Sequence, residues 1–332
     1  MANQIVRQRS IAFAREDDAA KGTAVAASTG HYVSCDSAIL TREVEQVKDL
    51  TGVGRIEAGI AHYKTKEWST LKFKAPVKTD WIGHVLTGLL GGVSSATVSA
   101  AQEHTLSVVN SVSAPAYTFF MLDALDPVKA AYGTFTKLTL KCDAGGILMA
   151  EVEAIARACV TGTGTPAFAT DYPLLGAHGV PKFASALSGL TGASAIAFSE
   201  MELTIEREVT PHYIFGSNTP DKFIAGKISI SGKLKLLKDG TTYSTIFTTP
   251  TPEAFRFDFN DTATAIGTNT PQLQLDLAKI YLTALERPDA MDDVDFETFD
   301  FSANYDLDEG SPQMIGGVLT NTESTTAYTE PA

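Results

Sequence analysis

Alternation of apolar and polar residues recurs along most of this chain, and no other feature limits its fold as strongly. Leu138, Leu140 and Cys142 point one way while Lys137, Thr139 and Lys141 point the other. Ile228, Ile230, Leu234 and Leu236 alternate with Ser229, Ser231, Lys233 and Lys235. Met201, Leu203, Ile205 and Val209 alternate with Glu202, Thr204, Glu206 and Glu208, and Phe255, Phe257 and Phe259 with Arg256, Asp258 and Asn260. A period of two is that of a half-buried antiparallel strand with one wet or partner-facing side. Helical patterning is confined to Asp80–Leu90 (DWIGHVLTGLL) and a weaker turn around Thr241–Phe247. Asp80 is the expected N-cap of the first helix, and Gly91–Gly92 its expected stop. The fold class is mainly β.

A length of 332 residues is enough for about two domains, and 44% apolar residues are enough to give each a core. No run approaches the roughly 18 to 20 apolar residues of a membrane span, so no membrane is expected. The opening MANQIVRQRSIAFARED has no apolar stretch of the secretory kind, which predicts synthesis and assembly in the cytoplasm. A net charge of −13 argues against a phosphate-gripping surface. Cys35, Cys142 and Cys159 are odd in number, without any CxxC, so neither a disulfide framework nor a cysteine zinc site is expected. The six histidines include no i, i+2 or i, i+4 pair, and His84 reads as a core-edge or interface residue. Thr51-Gly-Val-Gly54 and Gly162-Thr-Gly164 read as turns, since neither continues into a phosphate-binding motif. In the acidic block Asp289–Glu309 the order of ligands is not that of a calcium loop. Acids interleaved with Val294, Phe296, Phe299 and Phe301 read as a strand with an acidic face, bulged between Phe296 and Phe299. No nucleophile motif is present, and no catalytic residue, metal or cofactor is expected.

An order of elements occurs twice. Ala38-Ile-Leu-Thr-Arg-Glu-Val-Glu45 leads through a loop to Lys72-Phe-Lys74 and a helix ending in Val85-Leu86. Met201-Glu-Leu-Thr-Ile-Glu-Arg-Glu208 leads through a loop to Lys233-Leu-Lys235 and a turn ending in Ile246-Phe247, at the same spacing. The division that follows is an N-terminal arm (1–30), a first module (31–160), a linker rich in small residues and proline (161–195), a second module (196–310) and a flexible tail (311–332).

The ordered set resembles the tail tube proteins of long-tailed bacteriophages. The residues that carry the likeness are Ile11-Ala-Phe-Ala-Arg-Glu16 followed by Lys21-Gly-Thr-Ala24, Trp68–Lys74 running into Asp80–Gly91, and His104–Asn110. Phe135–Lys141, Gly145-Gly146, Met149–Glu153, Phe198–Arg207 and Ile224–Lys233 continue it. The resemblance implies two tandem β-sandwich or half-barrel modules, each with a flanking helix, whose sheets join between subunits into a closed tube. It implies a structural virion protein that stacks as rings and conducts DNA without binding it specifically. The implied partners are other copies of the chain and the tape-measure, tail terminator and distal tail proteins. Two modules per chain predict a trimeric, pseudo-sixfold ring rather than a hexamer. Glu202, Glu206, Glu208, Asp293, Asp295 and Glu297 are the candidate lumen or ring-contact acids, and Lys72, Lys74, Lys233 and Lys235 the candidate inter-ring cations. A two-domain β-sandwich binding or surface protein is the competing reading.

Overall fold

The computed structural model describes residues 9–27, 30–51, 59, 61–123, 125–169, 173–238, 240, 242–287, 295–307 and 313–329. The chain runs through β1 (Ser10–Arg15), β2 (His31–Val33), β3 (Ser37–Asp49) and β4 (Ala61–Pro76) into α1 (Ile82–Leu90). A hairpin of β5 (Gly91–Val98) and β6 (Ala101–Val108) follows, then β7 (Tyr117–Leu122), β8 (Val128–Asp143), β9 (Met149–Ala156) and the short β10 (Val160–Thr161). The remainder holds β11 (Lys182–Ala184), β12 (Phe198–His212), β13 (Lys222–Leu237), α2 (Thr242–Thr248), β14 (Glu253–Asn260), β15 (Gln272–Glu286), β16 (Phe296–Asn304) and β17 (Ile315–Asn321). The protein is mainly β, as the alternation requires.

All strand pairs are antiparallel, and their hydrogen bonds give the order β3–β4–β9–β8–β12–β13–β16–β15. Around this run, β1 pairs with β7 and β7 with the start of β8, while β11 pairs with β14 and β14 with the start of β15. A second seam joins β15 to β17 and β17 to β6 of the β5–β6 hairpin. The sheet does not close on itself. Among the described residues β3 pairs with no strand but β4, although its Leu40 N–H donates to Met121 Sδ of β7 at 3.4 Å, and Tyr281–Glu286 of β15 pairs with none but β16.

One face of the eight-strand run is covered. Leu71, Phe73, Leu138, Leu140, Val152, Leu203, Ile205, Leu234 and Phe301 point into it and are buried in one core shared by both halves. Over them lie α1, whose nine residues are all buried, and the aromatic cluster Phe13, Tyr117, Phe119 and Phe135. Each of these side chains contributes about 1.5–3 kcal/mol through removal from water. The helix ends at Gly91, whose φ of 96° is the left-handed conformation that terminates the turn. Its start departs from expectation: Trp81 is the N-cap, and the Asp80 carboxylate accepts the adjacent Trp81 N–H at 2.7 Å.

Three terminal or linking segments are more ordered than their composition predicts. Ile11, Ala12 and Phe13, assigned to a free arm, are fully buried in β1 between β2 and β7. Six strand residues flanked by polar ones are too few to stand out as a periodic segment. In the linker, Leu174 and Leu190 are buried and β11 pairs with β14. The expected flexible tail instead contributes β17, after which Tyr328 is fully buried against α1. Its ring lies so close to Gly83 that a Cβ there would sit 2.4 Å from it. No bulge interrupts β16, which keeps one phase with Phe299, Phe301 and Glu297 on the covered side and Phe296 opposite.

Candidate functional site

The other face of the eight-strand run is bare, and cross-strand register sets its residues in rows. One row reads Ile39, Lys72, Glu153, Lys137, Glu206, Ser229. A second reads Lys141, Glu202, Lys233, Asp300, Ala284. Between them runs a polar row with one ion pair at its end: Ser37, Lys74, Glu151, Thr139, Thr204, Ser231, Ser302 and Tyr281. Charge therefore alternates along the rows, and opposite neighbours meet. Lys72 lies 2.9 Å from Glu153, Lys74 2.8 Å from Glu151, and Lys141 2.7 Å from Glu200. Lys233 lies 3.5 Å from Asp300 and 3.8 Å from Glu286, and the Lys235 ammonium sits over the Phe296 ring. The Lys141 ammonium holds the Glu200 carboxyl below its ordinary range, and Glu200 raises Lys141 in return.

The predicted residues divide accordingly. Lys72, Lys74, Lys233, Lys235, Glu202 and Glu206 share the bare face, and exposed Glu208 sits at the bulge where β12 leaves register. Asp295 is exposed and paired with Lys238 at 2.9 Å. Glu297 lies on the opposite, covered face at 2% exposure, where Arg287 Nε donates to it at 3.0 Å. Asp293 lies outside the described residues. Of the lysines expected to reach other rings, Lys72, Lys74 and Lys233 have acids within their own sheet, and Lys235 lies over Phe296. Glu151, Glu153, Glu200, Glu286 and Asp300 were missed as partners, although Glu151 and Glu153 alternate along β9 in the sequence itself.

The two unpaired edges bound this face. A groove of about 780 Å3 runs beside β3, lined by Ile39, Leu40, Thr41, Arg42, Met121 and Val160. At the internal seam, β12 lies in register against β8, with Glu206 opposite Lys137, Thr204 opposite Thr139 and Glu202 opposite Lys141. Just beyond, Arg207 turns into the core. It is 3% exposed and donates to the Leu89 carbonyl at 2.7 Å and the Ser111 carbonyl at 2.8 Å, so the second half caps the helix of the first. An arginine in an otherwise apolar alternating row was the legible signal for it.

No group of three or more metal-ligating side chains is present among the described residues. Neither described helix is long and apolar enough to cross a membrane. Residues 7–303 match the family described as phage tail tube protein. The chain belongs to the phage tail tube protein family. It is a structural component of a phage tail, and no curated protein matches it. For a tail tube protein the informative surfaces are those on which copies meet and the one that faces their common axis.

Proposed function

We propose that this tail tube protein closes into rings by repeating between chains the seam it already makes within one. The observation that carries this is the pair of strand orders β3–β4–β9–β8 and β12–β13–β16–β15, joined by β8 against β12. Lys72 and Lys74 correspond to Lys233 and Lys235, and this sets β3 in the role of β12 and β15 in the role of β8. The free end of β15 then pairs with β3 of the next copy, with Glu286 opposite Thr41 as Thr139 is opposite Thr204. Each chain holds two tandem modules, and three chains form a pseudo-sixfold ring without a free edge.

Eight strands from each of three chains give a barrel about 50 Å across at the backbone, from strand spacing and tilt. That admits a DNA duplex. Only the bare face fits the inside, because α1 and the β1–β7 layer occupy the other. Stacked rings form the conduit for DNA delivery, assembled in the host cytoplasm with tape-measure, terminator and distal tail proteins. Glu202 and Glu206 line the bore in this reading; buried Glu297 does not.

The test is a double substitution, Thr41→Cys with Glu286→Cys, oxidised after assembly. The expected product is a cross-linked ladder that stops at three chains, absent from either single variant. A ladder continuing to six contradicts the trimer, and monomers alone from assembled tubes contradict the edge pairing.

A further inference from the structure

The bare face carries both signs of charge, although a surface past which DNA slides has no evident use for lysine. We infer that the acids of this face act as intramolecular masks: each neutralises a lysine of the neighbouring strand, so that phosphates meet no free cation. The inference deepens the ring reading above, because it concerns the partner that the bore admits.

The geometry has three parts. Cations and anions are interleaved strand by strand, not segregated into patches, so no phosphate-sized area of one sign exists along the two charged rows. Lys72, Lys74, Lys141 and Lys233 each have a carboxylate within 4 Å. Lys137 stands in register between Glu153 and Glu206, and Lys235 stands in register beside Glu200, with its ammonium over the Phe296 ring. Finally, the masks are cross-strand neighbours on a sheet, so they keep their positions as a polymer passes, unlike counterions that a phosphate would displace. Affinity for DNA arises from release of counterions by cations that neutralise phosphates. A lysine already paired with a fixed carboxylate releases none. The lysines then serve the sheet, since cross-strand opposite charges support register while like charges directly opposite oppose it. A wholly acidic face of nine or so carboxylates would strain the ring; the checkerboard keeps DNA off without that repulsion.

Glu151→Gln with Glu153→Gln unmasks Lys72 and Lys74 and half-unmasks Lys137 without changing side-chain shape. Binding of the full chain to a short duplex DNA is measured by fluorescence anisotropy from 50 to 200 mM salt. The expected result is a gain in affinity of about tenfold at the lowest salt and a salt slope steeper by about 2, corresponding to two newly available cations. Adding Lys72→Gln and Lys74→Gln to the same chain removes most of the gain, leaving only the part owed to Lys137, while those two changes alone leave binding unchanged. The inference is overturned by an acid-to-amide variant that melts like the wild type and binds DNA no better. It is also overturned by a gain that persists undiminished after both lysines are removed. The bore reading is read separately, from an electron cryomicroscopy map of wild-type tubes: the bare face on the outer wall refutes that reading whatever the DNA affinities are.

Discussion

The two halves of this tail tube protein carry the same strand order but are not equally finished. In the first half α1 is buried along its whole length, under β1, β7 and the chain's own C-terminal segment. Arg207 reaches over from β12 to bind the Leu89 carbonyl in its last turn. In the second half α2 has no fully buried residue. Among the described residues no strand stands against the end of β15 as β12 stands against β8. Val44 occupies on β3 the position that Arg207 occupies on β12, and it is 41% exposed. The lesson is that the second half completes the first, while one edge stays open in each: β3 in the first half and the end of β15 in the second.

The comparison is sharpened most by removing the groups through which one half completes the other. Arg207→Ala leaves the Leu89 and Ser111 carbonyls without their donor in a buried site and is expected to cost about 3 kcal/mol. Chemical denaturation of the unassembled chain measures it; a loss below about 1 kcal/mol contradicts the clamp. Val44→Ala, at the equivalent position, is expected to change monomer stability by less than about 0.5 kcal/mol.

Next in size is the C-terminal anchor. The Tyr328 hydroxyl donates to the Asp80 carbonyl at 2.9 Å and accepts from Asn321 Nδ2 at 2.8 Å, and its ring lies 4.7 Å from His84 and 4.6 Å from His104. Tyr328→Ala is expected to cost about 3 kcal/mol and Tyr328→Phe about 1 kcal/mol, the first from lost packing and the second from lost hydrogen bonds. Equal losses in the two variants, read from melting curves, contradict this division.

A smaller effect comes with acidification. His31 and His84 rings lie 4.2 Å apart, and burial holds His84 well below its ordinary value of 6.5, with charge on His31 lowering it further. Burial lowers His31 and His104 as well. The unfolded chain therefore binds protons below about pH 6.5 that the folded chain refuses. Stability conferred by the neutral cluster is complete above that pH and is lost as pH falls toward the folded values. The melting temperature is expected to drop between pH 7 and pH 5, and His84→Phe to flatten that slope. An unchanged slope in the variant assigns the pH dependence to His31 and His104 instead; Glu200 and Glu67, held low by Lys141 and Arg42, lose their contribution only below about pH 4.5.

Much of this was legible in the sequence, for reasons that single residues make plain. Alternation gave the faces of β8, β12 and β13, so Glu202, Lys141 and Lys233 could be placed on one side before their strands were known to be neighbours. That β8 borders β12 could not be read, because pairing between distant strands leaves no local trace. Lys72 was accordingly read as a candidate inter-ring cation without sight of Glu153, which lies 2.9 Å from it on the strand beside it. Glu297 was misplaced for a different cause: the phase of a short acidic strand was set from its phenylalanines, and Phe296 faces outward. The C-terminal segment was misjudged because β17 is a short strand with two glycines, too brief for its alternation to stand out, and the Tyr328 anchor beyond it is a single residue without a period.

The most direct test of the central claim, that the open edge of the second half takes β3 of another copy, is a cryomicroscopy map of the assembled tube viewed along its axis. The account predicts three chains per ring, with sixfold-looking density, β15 beside β3 at each junction between chains, and the charged face inward. Six chains per ring, or a junction that leaves β3 unpaired, would contradict it.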